Sequence, residues 1–167
     1  MYLDTERIRD VSGHEIRGVL GMSFLKNFVV QIDADAGQLS LLRSVPEQPG
    51  LQFVLSYNKV DVPIINNQEE DGELTTFIID TGNNGSIHYR SYAFDELLEN
   101  GRVTVIASRS PQTVVDGEIW FRTGCLKHFQ FGGFRHADLA VSEATQNGIG
   151  LGLLSRYRVT FDFPNNR

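Results

Sequence analysis

Residues 77–86 form the sequence Phe77-Ile78-Ile79-Asp80-Thr81-Gly82-Asn83-Asn84-Gly85-Ser86. Three apolar β-formers lead directly into a carboxylate and a glycine-rich turn, which predicts a buried strand that ends at Asp80. Because burial penalises the charged form of a carboxylate, an acid at this place indicates a capping bond, a metal or a catalytic role. The structural interpretation is an Asx-type turn bond from Asp80, with Gly82 and Gly85 supplying positive φ angles.

The composition predicts a soluble globular chain. The sequence has 167 residues, 41% hydrophobic and 22% charged, which is enough for one domain or slightly more with a proper core. The net charge of -6 and the lack of a basic run argue against a nucleic-acid partner. No apolar run approaches the ~18 residues of a membrane span, and the first residues show no secretory signal. Cys125 is the only cysteine, so no internal disulfide is expected and the localisation stays open.

Local patterns predict a β-rich chain with short helices. In the first part we expect a short helix from about Met22 to Asn27 and a hairpin made of Val29–Asp33 and Gln38–Leu42, with a turn at Asp35–Gly37. Residues 44–50 contain two prolines and a glycine and are the predicted linker.

After the linker the expected elements are these: strands at 51–55, 60–65 and 102–107, a helix at 92–99 capped by Ser91 and stopped by Gly101, an exposed turn at 108–113, and a hairpin turn at Asp116–Gly117. The polar connection 66–73 is acidic. Its spacing does not fit an EF-hand, and a solvated loop is the favoured interpretation over a calcium loop.

The end of the chain repeats its beginning. One constant shift places Leu20-Gly21 on Ile149-Gly150 and Phe24-Leu25 on Leu153-Leu154, without a gap. The same shift places Val30 on Val159 and Asp33 on Asp162. This period is much longer than a solenoid repeat and indicates two copies of one lobe.

The repeat also predicts the domain organisation. Residues 1–43 would be the C-terminal tail of a first lobe, 44–50 a linker, and 51–167 a second lobe with the Asp-Thr-Gly loop. Asp80 precedes Gly150 by a long stretch of chain, and the sequence ahead of Gly21 is too short to hold an equivalent stretch. We therefore expect the sequence to be a piece of a longer, two-lobed protein.

Two signatures together resemble those of the aspartic proteases, most closely the bacterial pepsin/retropepsin-like group. One is the apolar run into Asp80-Thr81-Gly82. The other is the apolar-apolar-Gly element, present as Val19–Leu25 and in altered form as Gly148–Leu154. The resemblance implies an all-β lobe, a closed, psi-loop β-barrel with short helices, in which Gly148, Ile149 and Gly150 thread through the loop that carries Asp80.

The resemblance also implies a function, that of an aspartic endopeptidase. Asp80 would be one of two aspartates that activate a water molecule, Thr81 would hydrogen-bond across the pair, and Gly82 would leave room for the close approach of the two loops. Neither a metal ion nor a cofactor is implied. One implied partner is a peptide or protein substrate. The other is either the first lobe or a second copy of the chain, as in a retropepsin-type homodimer, and the chain alone as a monomer would be inactive. A flap hairpin is expected between Ala107 and Trp120.

Two departures from the family pattern support an alternative. Asn83 and Asn84 follow the Asp-Thr-Gly where the family usually carries Ala, Ser or Thr, and Gly148 replaces an apolar residue. The alternative is a non-catalytic peptide-binding or scaffold module with the same fold. Other constellations are weaker, because His136 with Asp138 fits a surface pair better than a metal site and Cys125 fits a small core residue better than a nucleophile.

Overall fold

The computed structural model describes residue 6 and residues 9–10, 13–47, 50–69, 72–114 and 117–167, with the side chains at 113, 114 and 117 left aside. The predictions that concern residues 48–49 of the linker and Asp116 lie outside these residues. In the described part of the chain, no helix has the length and hydrophobicity that a membrane crossing requires.

The described residues are mostly β-structure with short helices, as predicted. The strands are β1 Val29–Asp33, β2 Gln38–Leu42, β3 Ser56–Tyr57, β4 Pro63–Gln68, β5 Leu74–Asp80, β6 Ile87–Arg90, β7 Val103–Val114, β8 Gly117–Phe131, β9 Phe134–Ala144, β10 Gly148–Gly150 and β11 Arg158–Asp162. The helices are α1 Met22–Leu25, α2 Ser91–Glu99 and α3 Leu151–Leu154, followed by a 3-10 turn at Phe163–Asn165.

The strands form two sheets. The larger has the order β3-β4-β5-β10-β6-β9-β8-β7, and the smaller has the order β11-β1-β2. Strand β10 is parallel to β5 and antiparallel to β6, so the late strand β10 lies between two strands that come early in the chain. Among the described residues no pairing joins β3 to β7 and closes the larger sheet, so the closed barrel stays a prediction.

Strand β5 is anchored by an aromatic core. The ring of Phe77 is fully buried and lies edge-on to Tyr89 of β6, at 5.5 Å between centroids, and to Phe129 of β8, at 5.9 Å. Edge-to-face pairs at such distances add to the free energy gained from burial alone. The core therefore fixes the end of β5, where Asp80 lies.

The two copies of the sequence repeat meet in the smaller sheet. Strands β1 and β11 pair antiparallel, and Gln31 lies opposite Thr160, with Gln31 Nε2 donating to Thr160 Oγ1 over 2.9 Å. Because these two residues occupy equivalent positions of the repeat, the pairing relates the two strands by a local two-fold axis.

The predicted strand at 51–55 is wrong, and the strand predicted at 60–65 begins only at Pro63. Asn58 Oδ1 accepts hydrogen bonds from the backbone N–H of Val60 and Val62, each at 3.0 Å, and so closes a turn between β3 and β4. Val54 and Val60 are each 76% exposed. These side-chain bonds delay the start of β4, while at 51–55 the N–H of Leu55 donates to the carbonyl of Asn166 rather than to a strand.

The predicted turn at 108–113 is also wrong, because β7 continues through it to Val114. The strand is irregular there, with register shifts between Val105 and Ala107 and between Ala107 and Ser110. Pro111 lies in the outermost strand of its sheet, the place in a sheet where proline is tolerated.

The helices differ from prediction at their ends. Helix α1 ends at Leu25 rather than Asn27. In α2 the N-cap is Arg90, Ser91 is already helical, and no side chain makes a capping bond. Gly101, with φ of 67°, ends α2 as predicted, since a left-handed residue at this place favours glycine.

Candidate functional site

Asp80 is the last residue of β5, and strand alternation decides where its side chain lies. Phe77 and Ile79 point into the core, being 0% and 8% exposed. Ile78 and Asp80 therefore share the opposite face of the strand, where both are partly exposed. This face leaves the carboxylate within reach of solvent while its strand is held in the core.

The loop after Asp80 is closed by its own backbone and side chains. Asp80 Oδ1 accepts the N–H of Gly82 at 3.0 Å, and the Asp80 carbonyl accepts the N–H of Asn83 at 3.2 Å. The Asx-type bond is thus confirmed, but Gly82 and Gly85 do not have the positive φ predicted for them. A Cβ on Gly82 would lie 3.3 Å from Asp80 Oδ1, so the glycine keeps space beside the carboxylate.

Strand β10 and the start of α3 are bonded to this loop through the backbone. The N–H groups of Gly150, Leu151 and Gly152 donate to the carbonyls of Ser86, Asn83 and Gly85, at 3.0, 2.7 and 3.0 Å. A Cβ on Gly150 would overlap the Gly85 carbonyl oxygen, so the close approach requires glycine.

The structure thus brings together the residues predicted for the site. Asp80, Thr81 and Gly82 lie in the loop, and Gly148, Ile149 and Gly150 form the strand beside it, with Gly150 opposite Asp80. Ile149 is fully buried beneath the loop. Thr81 is exposed, and its bond across to a second loop stays a prediction.

His88 belongs to the same site and was missed in the sequence. It lies on β6 directly opposite Gly148 and is 4% exposed. Asn83 Nδ2 lies 3.3 Å from His88 Nδ1. Burial lowers the pKa of His88, while the charge of Asp80 raises it by less. The sequence does indicate a space at Gly148, where a glycine replaces an apolar residue. Only the strand register shows that the ring of His88 fills that space.

The predicted flap lies in the hairpin formed by β7 and β8. The range expected for a flap, Ala107 to Trp120, falls within this hairpin, where the guanidinium of Arg109 lies 4.7 Å from the Trp120 ring centroid. Ile106 is 73% exposed and Trp120 47% exposed. Whether the hairpin acts as a flap stays a prediction.

His136 and Asp138 do not share a partner. His136 Nε2 is hydrogen-bonded to the hydroxyl of Tyr157, and Asp138 Oδ1 lies 3.7 Å from Cys125 Sγ. Desolvation and the nearby charge of Asp138 raise the pKa of the Cys125 thiol, which disfavours the nucleophilic thiolate. In the described part of the chain, no three His, Cys, Asp or Glu side chains are grouped to hold a metal ion.

Comparisons with known proteins find similarity among solved structures only. No protein-family model matches the sequence, and no curated protein matches it. Among solved structures, the chain is similar to the crystal structure of a retropepsin-like aspartic protease from Rickettsia conorii, with 16% sequence identity and a TM-score of 0.46. The match covers 62% of this chain and 78% of that one.

Proposed function

We propose that this chain provides one of the two catalytic aspartates, Asp80, of an aspartic endopeptidase. The observation that carries the proposal is the glycine strand β10, which lies between β5 and β6 and is bonded through its backbone to the Asp80 loop. Backbone bonds at three successive residues hold the loop without depending on flexible side chains. A carboxylate on such a loop is positioned before substrate arrives, as catalysis requires.

The chemistry needs two carboxylates that share one proton. Two such groups in hydrogen-bonding contact do not both ionise, so one is a base and the other an acid. The ionised carboxylate takes a proton from water as the water oxygen bonds to the peptide carbonyl carbon. The protonated carboxyl gives its proton to the carbonyl oxygen, forming a neutral gem-diol. When the C–N bond breaks, one carboxyl gives a proton to the nitrogen, which leaves as an amine. A hydroxyl of the gem-diol gives its proton to the other carboxylate, so a carboxylic acid forms and the dyad again shares one proton.

The second aspartate comes from another lobe, since Asp-Thr-Gly occurs once in this sequence. Leu20 and Phe24 are 54% and 41% exposed, whereas their counterparts in the repeat, Ile149 and Leu153, are fully buried. This difference supports a separate first lobe that covers residues 18–25 in the way that the Asp80 loop covers 148–154. The division into 1–43, 44–50 and 51–167 is part of this proposal, and a second copy of the chain is the alternative source of the aspartate.

One observation favours the non-catalytic alternative. Asn83 stands where a small residue is expected, and its side chain accepts the N–H of Gly85 and lies 3.3 Å from His88 Nδ1. A protein with such a loop would still have exposed β-strand edges to which an extended peptide can bind.

The test is cleavage of a peptide library from about pH 3 to about pH 8, the range that spans carboxylate and histidine titration. It uses this chain alone and the chain within a longer natural protein that contains a preceding lobe. We expect Asp80→Asn to lower kcat/KM by about a thousandfold or more, because the dyad acts as a unit. Asp35→Asn, which changes an exposed turn carboxylate, is the matched control and should leave the rate unchanged.

The outcomes separate the candidates. Activity of this chain alone that rises with the square of its concentration identifies a second copy as the partner, whereas activity only in the longer protein identifies the first lobe. An inert longer protein that still binds extended peptides overturns the protease proposal in favour of the binding module.

A further inference from the structure

We propose that His88 is a positioning residue of the Asp80 loop: its neutral imidazole occupies the space above Gly148, accepts a hydrogen bond from Asn83, and thereby holds the loop against β10. The consequence for hydrolysis rests on the proposed function above, but the placement of His88 does not. The contacts that support the assignment join the loop, β10 and β6.

The direction of the hydrogen bonds fixes the state of the imidazole. The backbone N–H of Gly85 donates to Asn83 Oδ1 at 2.7 Å, so the amide oxygen of Asn83 faces Gly85. The amide NH₂ must then face His88, where Nδ1 lies 3.3 Å from Asn83 Nδ2. An NH₂ group only donates, so Nδ1 carries no proton and the hydrogen of the neutral ring is on Nε2.

Gly148 makes the space that the ring occupies. It lies opposite Ile78 on one side and His88 on the other, so all three positions share the face of the sheet that also carries Asp80. A Cβ on Gly148 would overlap Nε2 of His88 and lie 2.9 Å from its Cδ2. The ring therefore leans over the bare backbone of β10, on the side of the sheet where the carboxylate is.

Asn83 passes this placement on to the loop. Its N–H donates to the Asp80 carbonyl at 3.2 Å, and its carbonyl accepts the N–H of Leu151 at 2.7 Å. The side chain of Asn83 is thus held by His88 while its backbone joins Asp80 to α3. Loss of the imidazole acceptor would leave the Asn83 amide half-satisfied in a part-buried place and loosen both backbone bonds.

Protonation of His88 would break the contact, because a proton on Nδ1 would face the donor of Asn83. The charged group acting on the ring is Asp80, while the strands on either side present Gly148 and Ser142, which do not titrate. Glu143, beside Ser142, is engaged with Arg122. We therefore expect the loop to be ordered while His88 is neutral and to loosen when acid protonates it.

The first experiment reads the tautomer in the unmodified chain by the ¹⁵N chemical shifts of the His88 ring. The expected result is a protonated Nε2 and an unprotonated Nδ1 at neutral pH, with titration below the ordinary histidine range. A protonated Nδ1 overturns the proposal, and this result does not depend on any variant folding.

The second experiment compares His88→Asn with His88→Gln by hydrogen exchange. An Asn amide oxygen replaces Nδ1, whereas a Gln amide oxygen reaches the place of Nε2. Loss of one hydrogen bond corresponds to about a fivefold change in an equilibrium constant, so exchange at the Leu151 amide should be about fivefold faster in His88→Gln and unchanged in His88→Asn. Equal exchange rates in the two variants contradict the proposal, and an exposed control, His128→Gln, should change nothing at Leu151.

In an active protein, His88→Gln should lower kcat and leave KM unchanged. His88→Asn should keep the kcat of the unmodified protein and extend its activity to lower pH. A purely structural role would alter folding stability alike in both variants and would leave the pH profile unmoved. If cleavage is absent but the tautomer and exchange are as expected, the protease proposal fails and the role of His88 in the loop stands.

Discussion

At the scale of single residues, the glycines beside the Asp80 loop differ in what excludes a side chain. For Gly150 the obstacle is backbone, the carbonyl oxygens of Gly85 and Asn83, whereas for Gly148 it is the ring of His88. Backbone obstacles remain whatever the neighbouring side chains are. A side-chain obstacle can be removed by mutation, so the two glycines are separable by experiment.

We expect Gly148→Ala and Gly150→Ala each to lower the free energy of unfolding by about 2 kcal/mol through overpacking. Combination with His88→Ala should relieve about half of the loss at Gly148 and none of it at Gly150, giving a coupling of about 1 kcal/mol in the first pair only. Urea denaturation of the two double-mutant cycles measures this. Equal coupling in both pairs would show that His88 does not occupy the space above Gly148.

At the scale of secondary structure, the sequence was most informative where one element is decided locally. The hairpin β1–β2 with its turn at Gly37, the strand that ends at Asp80, and the helix stopped by Gly101 all have strong local signals and were predicted. The strand at 51–55 was wrong because the Leu55 N–H bonds the Asn166 carbonyl outside any strand. The turn at 108–113 was wrong because β7 continues through it as an edge strand.

The site itself was predicted in part, for a related reason. Asp80 and the glycine element were recognisable because the chemistry and the close packing each demand particular residues at fixed places. His88 was not, because its role depends on lying opposite Gly148, which belongs to a distant part of the chain. Strand register between distant segments is set by the whole fold and is absent from any local pattern.

An ion cluster ties α2 to the sheet and should make the fold sensitive to acid. Arg122 of β8 bonds Glu143 of β9 at 2.9 Å and Asp95 of α2 at 2.7 Å, and its guanidinium lies over the Phe94 ring. The hydrogen bond from Arg122 is the main cause that lowers the pKa of Glu143 from 4.5 to about 2. A lowered carboxylate pKa adds stability that is complete above pH 4.5 and is lost as the pH falls toward about 2.

We therefore expect Glu143→Gln to reduce the free energy of unfolding by about 2 kcal/mol at neutral pH and to have little effect at about pH 2. Urea denaturation across this pH range measures the difference. Asp95→Asn is the matched control and should have a smaller effect, since the Asp95 side chain is 53% exposed and that of Glu143 only 14%. A Glu143→Gln effect independent of pH would contradict this account.

At the scale of the whole molecule, the repeat gives two equivalent apolar elements in different surroundings. Residues 148–154 are bonded to the Asp80 loop and include the fully buried Ile149, while 18–25 precede β1 and include Val19, which is 67% exposed. The same sequence pattern is thus buried in one place and open in the other. This asymmetry supports a covering lobe, and it can be measured with one substitution at each place.

We expect Ile149→Ala to lower the free energy of unfolding by about 3 kcal/mol, because it removes fully buried methyl groups. Leu20→Ala, at the equivalent position of the repeat, should change it by less than about 0.5 kcal/mol in this chain. Thermal or urea unfolding measures both. In a longer protein with a preceding lobe, Leu20→Ala should become destabilising, and a persistent lack of effect there would count against a lobe that covers 18–25.

The pairing of β1 with β11 has a consequence for how the chain is made. Asp33 leaves the ribosome well over a hundred positions before its partner Arg158, which at about 5–20 residues per second is a wait of roughly ten seconds. During that time β1 and β2 are a two-stranded hairpin, which is marginally stable alone and has an unpaired backbone edge. The smaller sheet is therefore completed last, and its first strand is the part of the nascent chain most open to pairing with another chain.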